Sequence, residues 1–302
     1  MTSDNQALFE RYRQYILLEQ GLSANTREAY ERDVERFVGW CEETGQEVLA
    51  TDLPMLHRYT EALYGTDAAA SSIARMLCGV RSFFRFLQLD GVIVQDPSEL
   101  LESPRLPRHL PTVLTVEEID RIKGAIDLEK PEGQRDHCII EVLYSCGLRV
   151  SEVCSLRLSD LFLSEGFIRV IGKGNKQRIV PISPAAIEEI GWWMDVRREI
   201  NVVAEDEDIL FVSLTRRKRL TRMAIFHNIR VYAERAEIGK EVSPHTFRHS
   251  FATHLLEGGA SLRAIQAMLG HEKISTTEIY THLDRRFLRE QVLTYFPRNR
   301  HP

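Results

Sequence analysis

The chain has no apolar run approaching the roughly eighteen residues that a membrane-spanning helix needs. Its first residues, Met1 to Asn5, lack the basic start and the apolar stretch of a secretory signal. Internal repeats and low-complexity tracts are also absent from the sequence. These absences argue against a membrane-spanning or secreted protein, and we expect a globular protein in the cytoplasm.

Cysteine is scarce. Only 5 of the 302 residues are cysteines, and none of them forms a C-x-x-C pair. An odd number without that spacing indicates neither a zinc site nor a disulfide framework. Cys138, Cys146 and Cys154 recur every eight residues, and we interpret them as buried, reduced thiols.

Lysine is missing from residues 1–105, which hold 10 arginines and 17 acidic residues, a net charge of −7. The remaining residues carry 29 basic and 27 acidic side chains, so the whole chain has a net charge of −5. Nucleic-acid-binding proteins are often basic overall. A DNA-binding hypothesis must therefore depend on where the basic residues lie, because the net charge does not support it.

The first hundred residues predict helices. Asn25 and Glu28 have the spacing of a capping box at a helix start. Two apolar stripes with helical spacing follow along the chain. They consist of Tyr30, Val34, Phe37 and Cys41 in one helix and of Ile73, Leu77, Val80, Phe84 and Leu87 in another.

Three arginines, Arg75, Arg81 and Arg85, lie off the apolar stripe of the later helix. Residues 71–89 contain no acidic side chain. Two interpretations are equally good: a solvated charged face, or contacts to DNA phosphates, for which forked guanidiniums are suited.

A proline-rich connector separates two predicted domains. Four prolines interrupt residues 96–111, a density that breaks helices and suits an extended segment. Thr115 and Glu118 then have the spacing of a capping box that opens a new helical region. The connector predicts an N-terminal domain of residues 1–107 and a second domain of residues 108–302.

The second domain begins with helical patterns and then changes to a period of two. Residues 167–171 and 178–180 predict short strands, joined by a glycine-rich turn at residues 172–176. Ser183 followed by Pro184 predicts the start of the next helix, because serine caps helices and proline is favoured at their first position. Helical patterns continue from there to the C-terminus.

Two segments of this domain carry polar residues that packing does not require. Arg149 and Glu152 follow Gly147 and lie one helical turn apart, a spacing that is also typical of a surface ion pair. Lys173 lies between two glycines at the tip of the predicted hairpin, where its side chain is unhindered. Neither segment alone predicts a function.

A third segment places two basic residues at a helix start. Ser243 and Pro244 predict the cap, so that His245 and Arg248 lie in the first turn and share a face. A basic pair at a helix N-terminus opposes the helix dipole, unless an anion binds there. The mismatch favours a phosphate-binding function over a purely structural one.

A fourth segment contains a candidate nucleophile. Gly270 predicts the end of one helix, and the capping-box spacing at residues 275–278 predicts the start of the next. Tyr280 is therefore expected early in a short helix, with His271 in the preceding loop. A tyrosine by itself would more often be an amphipathic residue at the edge of a core.

Together the four segments supply two arginines, two histidines, a lysine and a tyrosine, the set that metal-free phosphodiester transfer requires. Guanidiniums can hold the non-bridging oxygens of a phosphate bidentately as charge develops there. A tyrosine hydroxyl, with a pKa of about 10, must lose its proton before it attacks. A suitably placed lysine can protonate the departing oxygen.

The order and spacing of these residues resemble the tyrosine recombinase (phage integrase) family, in particular its bacterial Xer branch. The family's catalytic positions fall on Arg149, Lys173, His245, Arg248, His271 and Tyr280. The neighbouring residues match too, in Gly-Leu-Arg-Val-Ser-Glu, Gly-Lys-Gly-Asn-Lys, Leu-Gly-His and Ser-Thr-Thr-Glu-Ile-Tyr-Thr-His. The likeness extends over nearly the whole chain.

The resemblance implies a mainly α fold. A small helical N-terminal DNA-binding (SAM-like) domain would precede a larger α-helical catalytic domain with a small three-stranded antiparallel sheet. Tyr280 would attack the scissile phosphate and form a 3′-phosphotyrosyl link. Because that link retains the bond energy, neither ATP nor a metal ion nor any other cofactor is implied.

The resemblance also implies a role for each remaining position. Arg149 and Arg248 would hold the phosphate, and His271 would donate a hydrogen bond to it. His245 would assist proton removal or bind the phosphate, and Lys173 would protonate the leaving oxygen. A supporting residue completes the set: Glu152 would orient or neutralise its neighbours without touching the substrate.

Further positions are left open by the sequence. Lys176 lies close enough to Lys173 to be the general acid instead. Other tentative DNA contacts are Arg75, Arg81, Arg85, Lys176 and Arg222, whereas the basic run 215–219 is equally well explained as exposed loop charge. An apolar stripe in the tail, Leu288, Val292 and Phe296, would by analogy dock on a neighbouring subunit.

The implied partners are double-stranded DNA with a specific recombination site, a paralogous recombinase in a cyclic heterotetramer, and a septal DNA translocase. The implied role is the resolution of chromosome dimers before cell division, with no membrane association. Three alternatives remain: a mobile-element integrase, a type IB topoisomerase that rejoins the same strand, and an architectural DNA-binding protein with a vestigial site.

Overall fold

The computed structural model describes residues 2–18, 22, 24–104, 112–172, 176–270 and 282–299. These residues form twelve α-helices and one three-stranded sheet, which confirms the mainly α fold class. The chain divides into two compact units, Met1–His109 and Leu110–Pro302. The predicted boundary after residue 107 lies outside the described residues and stays a prediction.

The described part of the first unit contains four α-helices. They are α1 (Ser3–Leu18), α2 (Ala24–Glu43), α3 (Leu53–Tyr64) and α4 (Ala70–Leu89). Both predicted apolar stripes lie in the core of this unit, in α2 and α4, with only Tyr30 half-buried. The prediction that Asn25 caps a helix is wrong: Asn25 lies inside α2, which begins at Ala24.

A buried carboxylate holds α2 against α4. Asp33 is 3% exposed, and a Cβ at Gly79 would lie 2.7 Å from the Cβ of Asp33, so only glycine permits this approach. Arg75 donates hydrogen bonds of 2.5 and 2.7 Å to the two carboxylate oxygens. The pairing satisfies a charge that would be costly to bury alone.

The second unit contains the other eight described helices. They are α5 (Val116–Gly124), α6 (Pro131–Cys146), α7 (Val150–Cys154), α8 (Pro184–Arg198), α9 (Arg222–Arg235), α10 (Pro244–Gly258), α11 (Leu262–Leu269) and α12 (His282–Tyr295). The capping box at Thr115 and Glu118 and the serine cap at Ser183 are confirmed. The three regularly spaced cysteines are buried free thiols, as predicted, whereas Cys78 is exposed.

The sheet is antiparallel in the order β1–β2–β3. Its strands are β1 (Leu161–Phe162), β2 (Phe167–Ile171) and β3 (Gln177–Pro181). The two predicted strands are confirmed, but β1 is too short to leave a periodic signal. Val170 pairs with Arg178 across the sheet, and paired residues in an antiparallel sheet share a face. The side chain of Arg178 therefore lies on the buried face beside Val170, which is 2% exposed.

The tail packs against its own unit. Leu288, Val292 and Phe296 are 3%, 1% and 0% exposed, and the ring of Phe296 lies 4.8 Å from that of Tyr144 and 5.5 Å from that of Phe251. The expectation that this stripe docks on a neighbouring subunit is thus not met here. The stripe instead buries apolar area in the core of the second unit.

Replacing Phe296 with alanine should therefore lower the free energy of unfolding by about 3–5 kcal/mol, because the buried ring leaves a cavity. Urea unfolding followed by circular dichroism measures the change. Phe287 in α12 is the matched control: it is 44% exposed, so Phe287→Ala should cost less than about 1 kcal/mol. Equal losses for the two variants would show that the tail is not part of the core.

None of the helices in the described part of the chain is long and apolar enough to span a membrane.

Candidate active site

Gly147 turns the chain from α6 towards Arg149. Its φ of +59° is left-handed, and a Cβ there would lie 2.4 Å from the ring of Phe251, so glycine is required for both reasons. Arg149 then caps α7: its backbone N–H donates to Oε2 of Glu152 at 2.8 Å, and its Nη1 donates to Oε1 at 2.9 Å. The ion pair is not a simple surface pair, because the Glu152 side chain is 3% exposed and that of Arg149 36%.

Arg248 reaches the same place from α10. The helix begins after Ser243, whose backbone N–H donates to Oγ1 of Thr246 at 3.0 Å in a capping box, as the sequence predicts for its start. Nη1 of Arg248 donates to the carbonyl of Gly147 at 2.7 Å, and its Nη2 donates to that of Leu269 at 2.6 Å. Two backbone carbonyls therefore fix the plane of this guanidinium.

Glu152 connects the two arginines. In addition to its bonds from Arg149, its Oε2 lies 4.0 Å from Nη1 of Arg248. Burial would raise the pKa of Glu152, but the hydrogen bonds and charge of Arg178, followed by Arg149, outweigh burial and lower that pKa. The carboxylate is therefore ionised at neutral pH.

Positive charge is concentrated around this carboxylate. Burial, followed by repulsion from Arg149, lowers the pKa of Arg248 to about 10. Arg248 thus stays protonated near neutral pH, although its environment disfavours the charge. A site that crowds guanidiniums in this way is suited to an anion.

Arg178 was not among the residues proposed from the sequence. It lies on β3, is 6% exposed, and donates to both oxygens of Glu152, from Nη1 at 2.7 Å and from Nη2 at 2.9 Å. Its Nε donates to the carbonyl of Met268 at 2.7 Å. The sequence does carry a signal: a charged residue two positions before Val180, on the apolar side of a strand.

His245 is exposed in the first turn of α10, where a helix has backbone N–H groups without intrahelical partners. It precedes Arg248 by three residues on this helix. The structure therefore places one of the proposed histidines at the solvent-facing start of the helix that supplies Arg248.

Lys173, His271 and Tyr280 lie outside the described residues. Gly172 and Gly270, which directly precede Lys173 and His271 in the chain, are described. A Cβ at Gly172 would lie 3.7 Å from Oε1 of Glu152 and 3.5 Å from Nη1 of Arg178, and a Cβ at Gly270 would lie 3.1 Å from Cδ of Arg178. The chain therefore passes the Glu152–Arg178 pair immediately before each of these two positions.

The tentative DNA contacts differ in their surroundings. Lys176 and Arg222 are exposed in the second unit, and Arg85 is exposed on α4. Arg75 instead pairs with Asp33, although its side chain is 46% exposed. Arg81 donates to the carbonyl of Leu101 and to Oγ of Ser103.

Metal ligands are not gathered anywhere in the described ranges: no three His, Cys, Asp or Glu side chains there come together as an ion site.

Two family models match the sequence. The model described as the phage integrase family matches residues 112–286, more than half of the chain. The chain belongs to the phage integrase family. A second model, described as the phage integrase N-terminal SAM-like domain, matches residues 9–91, which confirms the predicted type of the first domain.

Several relatives match this chain over almost its whole length. The chain is 40% identical over 292 residues to the tyrosine recombinase XerD of Chlorobaculum tepidum, and the match covers 96% of each chain. It is 39% identical over 303 residues to the tyrosine recombinase XerD of Pseudomonas aeruginosa, covering 99% of this chain and 100% of the other. This member of the family is a tyrosine recombinase, an enzyme that cleaves and rejoins DNA strands.

Solved structures of the family share the fold. A XerH site-specific recombinase bound to a palindromic difH substrate has a TM-score of 0.69 and 22% identity, with coverage of 96% of this chain and 84% of that chain. A lambda integrase tetramer bound to a Holliday junction has a TM-score of 0.68 and 18% identity, with coverage of 93% and 82%. At these identities the likeness supports the fold and nothing further.

Proposed function

We propose that this tyrosine recombinase cuts double-stranded DNA at a specific recombination site through a 3′-phosphotyrosyl link to Tyr280. The other proposed catalytic residues are Arg149, Lys173, His245, Arg248 and His271. The observation that carries the proposal is the convergence of Arg149, the N-cap of α7, and Arg248, in α10, on the carboxylate of Glu152. Electrostatic stabilisation of a phosphoryl transition state needs such paired, preorganised cations.

The two arginines would divide the work of holding the phosphate. Arg248 is fixed by the carbonyls of Gly147 and Leu269, so it gives a rigid reference for one non-bridging oxygen. Arg149 is one-third exposed and can turn an N–H edge towards the other. Charge that develops on these oxygens would then meet donors already in place, which need no reorganisation during the reaction.

Proton transfer would be divided between the nucleophile and the leaving group. His245, exposed at the start of α10, would assist removal of the Tyr280 proton, and a lysine would protonate the departing 5′-oxygen. Lys173 and Lys176 are both candidates for this acid. A substrate with an activated leaving group distinguishes them, because it should restore cleavage to whichever alanine variant has lost the acid.

The proposed chemistry conserves energy. Exchange of one phosphodiester for a phosphotyrosyl ester is nearly balanced in bond energy, and the 5′-hydroxyl reverses it on rejoining. The reaction as proposed therefore uses no ATP, and the arginines would supply the charge stabilisation that a metal ion supplies in other phosphoryl-transfer enzymes.

We further propose that the recombination resolves chromosome dimers before cell division in the cytoplasm. The partners would be a paralogous recombinase in a cyclic heterotetramer and a septal DNA translocase. Similarity to XerD proteins over almost the full chain supports this role. The exposed side chains of Arg85, Arg222 and Lys176 would contact DNA phosphates. Arg75 and Arg81 already donate hydrogen bonds within the protein, so they would contact phosphates only through their remaining N–H groups.

Sequencing of covalently trapped DNA tests the proposal. Trapped ends should map to one chromosomal site and carry the protein on the 3′ side. Incubation with two differently labelled duplexes should then yield recombinant strands through a four-way junction. Rejoining of the original strands alone would indicate a type IB topoisomerase, and ends that map to the borders of an element would indicate a mobile-element integrase.

A further inference from the structure

The side chain of Arg178 connects three parts of the second unit. From β3 it donates to both oxygens of Glu152 on α7 and to the carbonyl of Met268 at the end of α11. Its side chain is 7% exposed. Each of the three guanidinium nitrogens donates one hydrogen bond within the protein, and the buried side chain leaves little of the group open to a substrate.

Stability alone does not account for this arrangement. Val170, across the sheet from Arg178, is buried among apolar residues, and an apolar residue at position 178 would continue that face. Replacement of a buried ion pair by apolar residues of similar volume is often neutral or stabilising. A buried guanidinium at this position therefore points to a function beyond packing.

Its contacts lie next to the groups that hold the two proposed phosphate-binding arginines. Glu152 accepts from Arg149, and Leu269, which accepts from Arg248, is adjacent to Met268 in the chain. Gly270 then turns over the Arg178 side chain with a φ of +68°. A displacement of Arg178 would thus reach both arginines and the chain that leads to His271.

The charge balance of the site is a second reason to assign Arg178 a function. A single carboxylate, Glu152, lies among three guanidiniums. Arg178 donates to both oxygens of Glu152, so its positive charge alone balances most of the charge of that carboxylate. Without Arg178, Glu152 would compete with the DNA phosphate for those two arginines.

We propose that Arg178 is a positioning residue for strand cleavage: it neutralises and orients Glu152 and anchors the end of α11, and so sets the geometry of Arg149 and Arg248 without contacting DNA. The inference rests on the proposed function. It assigns a role to a position outside the six proposed catalytic residues.

The test compares Arg178→Met and Arg178→Lys with the full-length wild type on a nicked suicide substrate. Single-turnover cleavage by Arg178→Met should fall by about 100-fold, because misplacement of reacting groups by about 1 Å costs that much. Binding of the same DNA should change by less than about threefold, since phosphate contacts elsewhere dominate affinity. Arg178→Lys keeps the charge but not the fork, and it should give an intermediate rate.

The matched control is Arg135, another buried arginine of the second unit. It is 5% exposed and pairs with the buried carboxylate of Asp136 at 2.8 Å. Arg135→Met should lose stability as Arg178→Met does, yet cleave normally at a temperature where circular dichroism shows it folded. This comparison separates positioning from a general effect on folding.

A double-mutant cycle provides the readout that a merely structural role would not move. If Arg178 acts through Glu152, then Glu152→Gln together with Arg178→Met should cleave within about threefold of the slower single variant. Glu152→Gln together with Arg135→Met should cleave like Glu152→Gln alone. The proposal would be overturned if the loss of cleavage rate in the double variant equalled the product of the losses in Glu152→Gln and Arg178→Met. It would also be overturned if Arg178→Met cleaved within threefold of the wild-type rate.

Capture of DNA by the wild type separates a failure of the proposed function from a failure of the role proposed for Arg178. Absence of covalent capture by the wild type overturns the proposed function and this inference with it. Capture by the wild type and undiminished capture by Arg178→Met overturn the inference alone.

Discussion

Tyr280→Phe is expected to abolish covalent capture of DNA on a nicked suicide substrate. Loss of a catalytic nucleophile costs on the order of 10⁴-fold or more in rate, and phenylalanine has no oxygen with which to attack phosphorus. The substitution removes one atom and keeps the ring, so folding and DNA binding should be retained. Denaturing electrophoresis of a labelled duplex measures the covalent complex directly.

Tyr295→Phe is the matched control for this variant. Tyr295 is a half-buried tyrosine at the end of α12 in the same unit, and its hydroxyl has no role in the proposed chemistry. It should capture DNA at the wild-type rate. Capture by Tyr280→Phe at a comparable rate would place the nucleophile elsewhere in the chain.

Arg248→Lys should lower single-turnover cleavage by about 10²–10³-fold, the usual cost of removing one preorganised donor from a transition state. Lysine keeps the positive charge, but a single ammonium cannot span the carbonyls of Gly147 and Leu269 and still present a fixed edge to a phosphate. The loss should appear in the cleavage rate far more than in DNA affinity.

Arg197→Lys controls for the cost of changing any buried arginine. Arg197 is 8% exposed and also donates to backbone carbonyls, those of Ile209 and Glu207. Its variant should be less stable but should cleave normally once folded. If Arg248→Lys cleaves as fast as Arg197→Lys, the convergence on Glu152 has no catalytic meaning.

Local features of this fold could be predicted from the sequence because their causes are local. Serine and threonine caps at Ser183 and Thr115 satisfy N–H groups within three residues, and the apolar stripes of α2 and α4 follow from helical periodicity. The same holds for the pairing of Arg149 with Glu152, which are one helical turn apart.

Long-range ion pairs could not be predicted in this way. Arg178 and Glu152 are 26 residues apart, and Arg75 and Asp33 are 42 apart. Periodicity shows which face of an element is buried but not which element covers it. The sequence therefore shows the charge of Arg75 but not its partner Asp33, and the buried strand face of Arg178 but not its partner Glu152.

The tail shows that the partner of an apolar stripe is likewise not given by its periodicity. Its stripe correctly indicates a buried face, but Phe296 could satisfy that requirement in its own unit or in another subunit. The structure places it against Tyr144 and Phe251 of the same chain. The choice depends on the space left by α6 and α10, which no local pattern describes.

Mass spectrometry of the trapped complex identifies the residue that is bonded to DNA. DNA captured on a suicide substrate is digested with nuclease and the protein with trypsin, and the peptide that carries the nucleotide remnant is identified. We expect attachment to the peptide of residues 274–285, in which Tyr280 is the only tyrosine. Attachment to any other residue, or a complex that forms without a covalent bond, would contradict it.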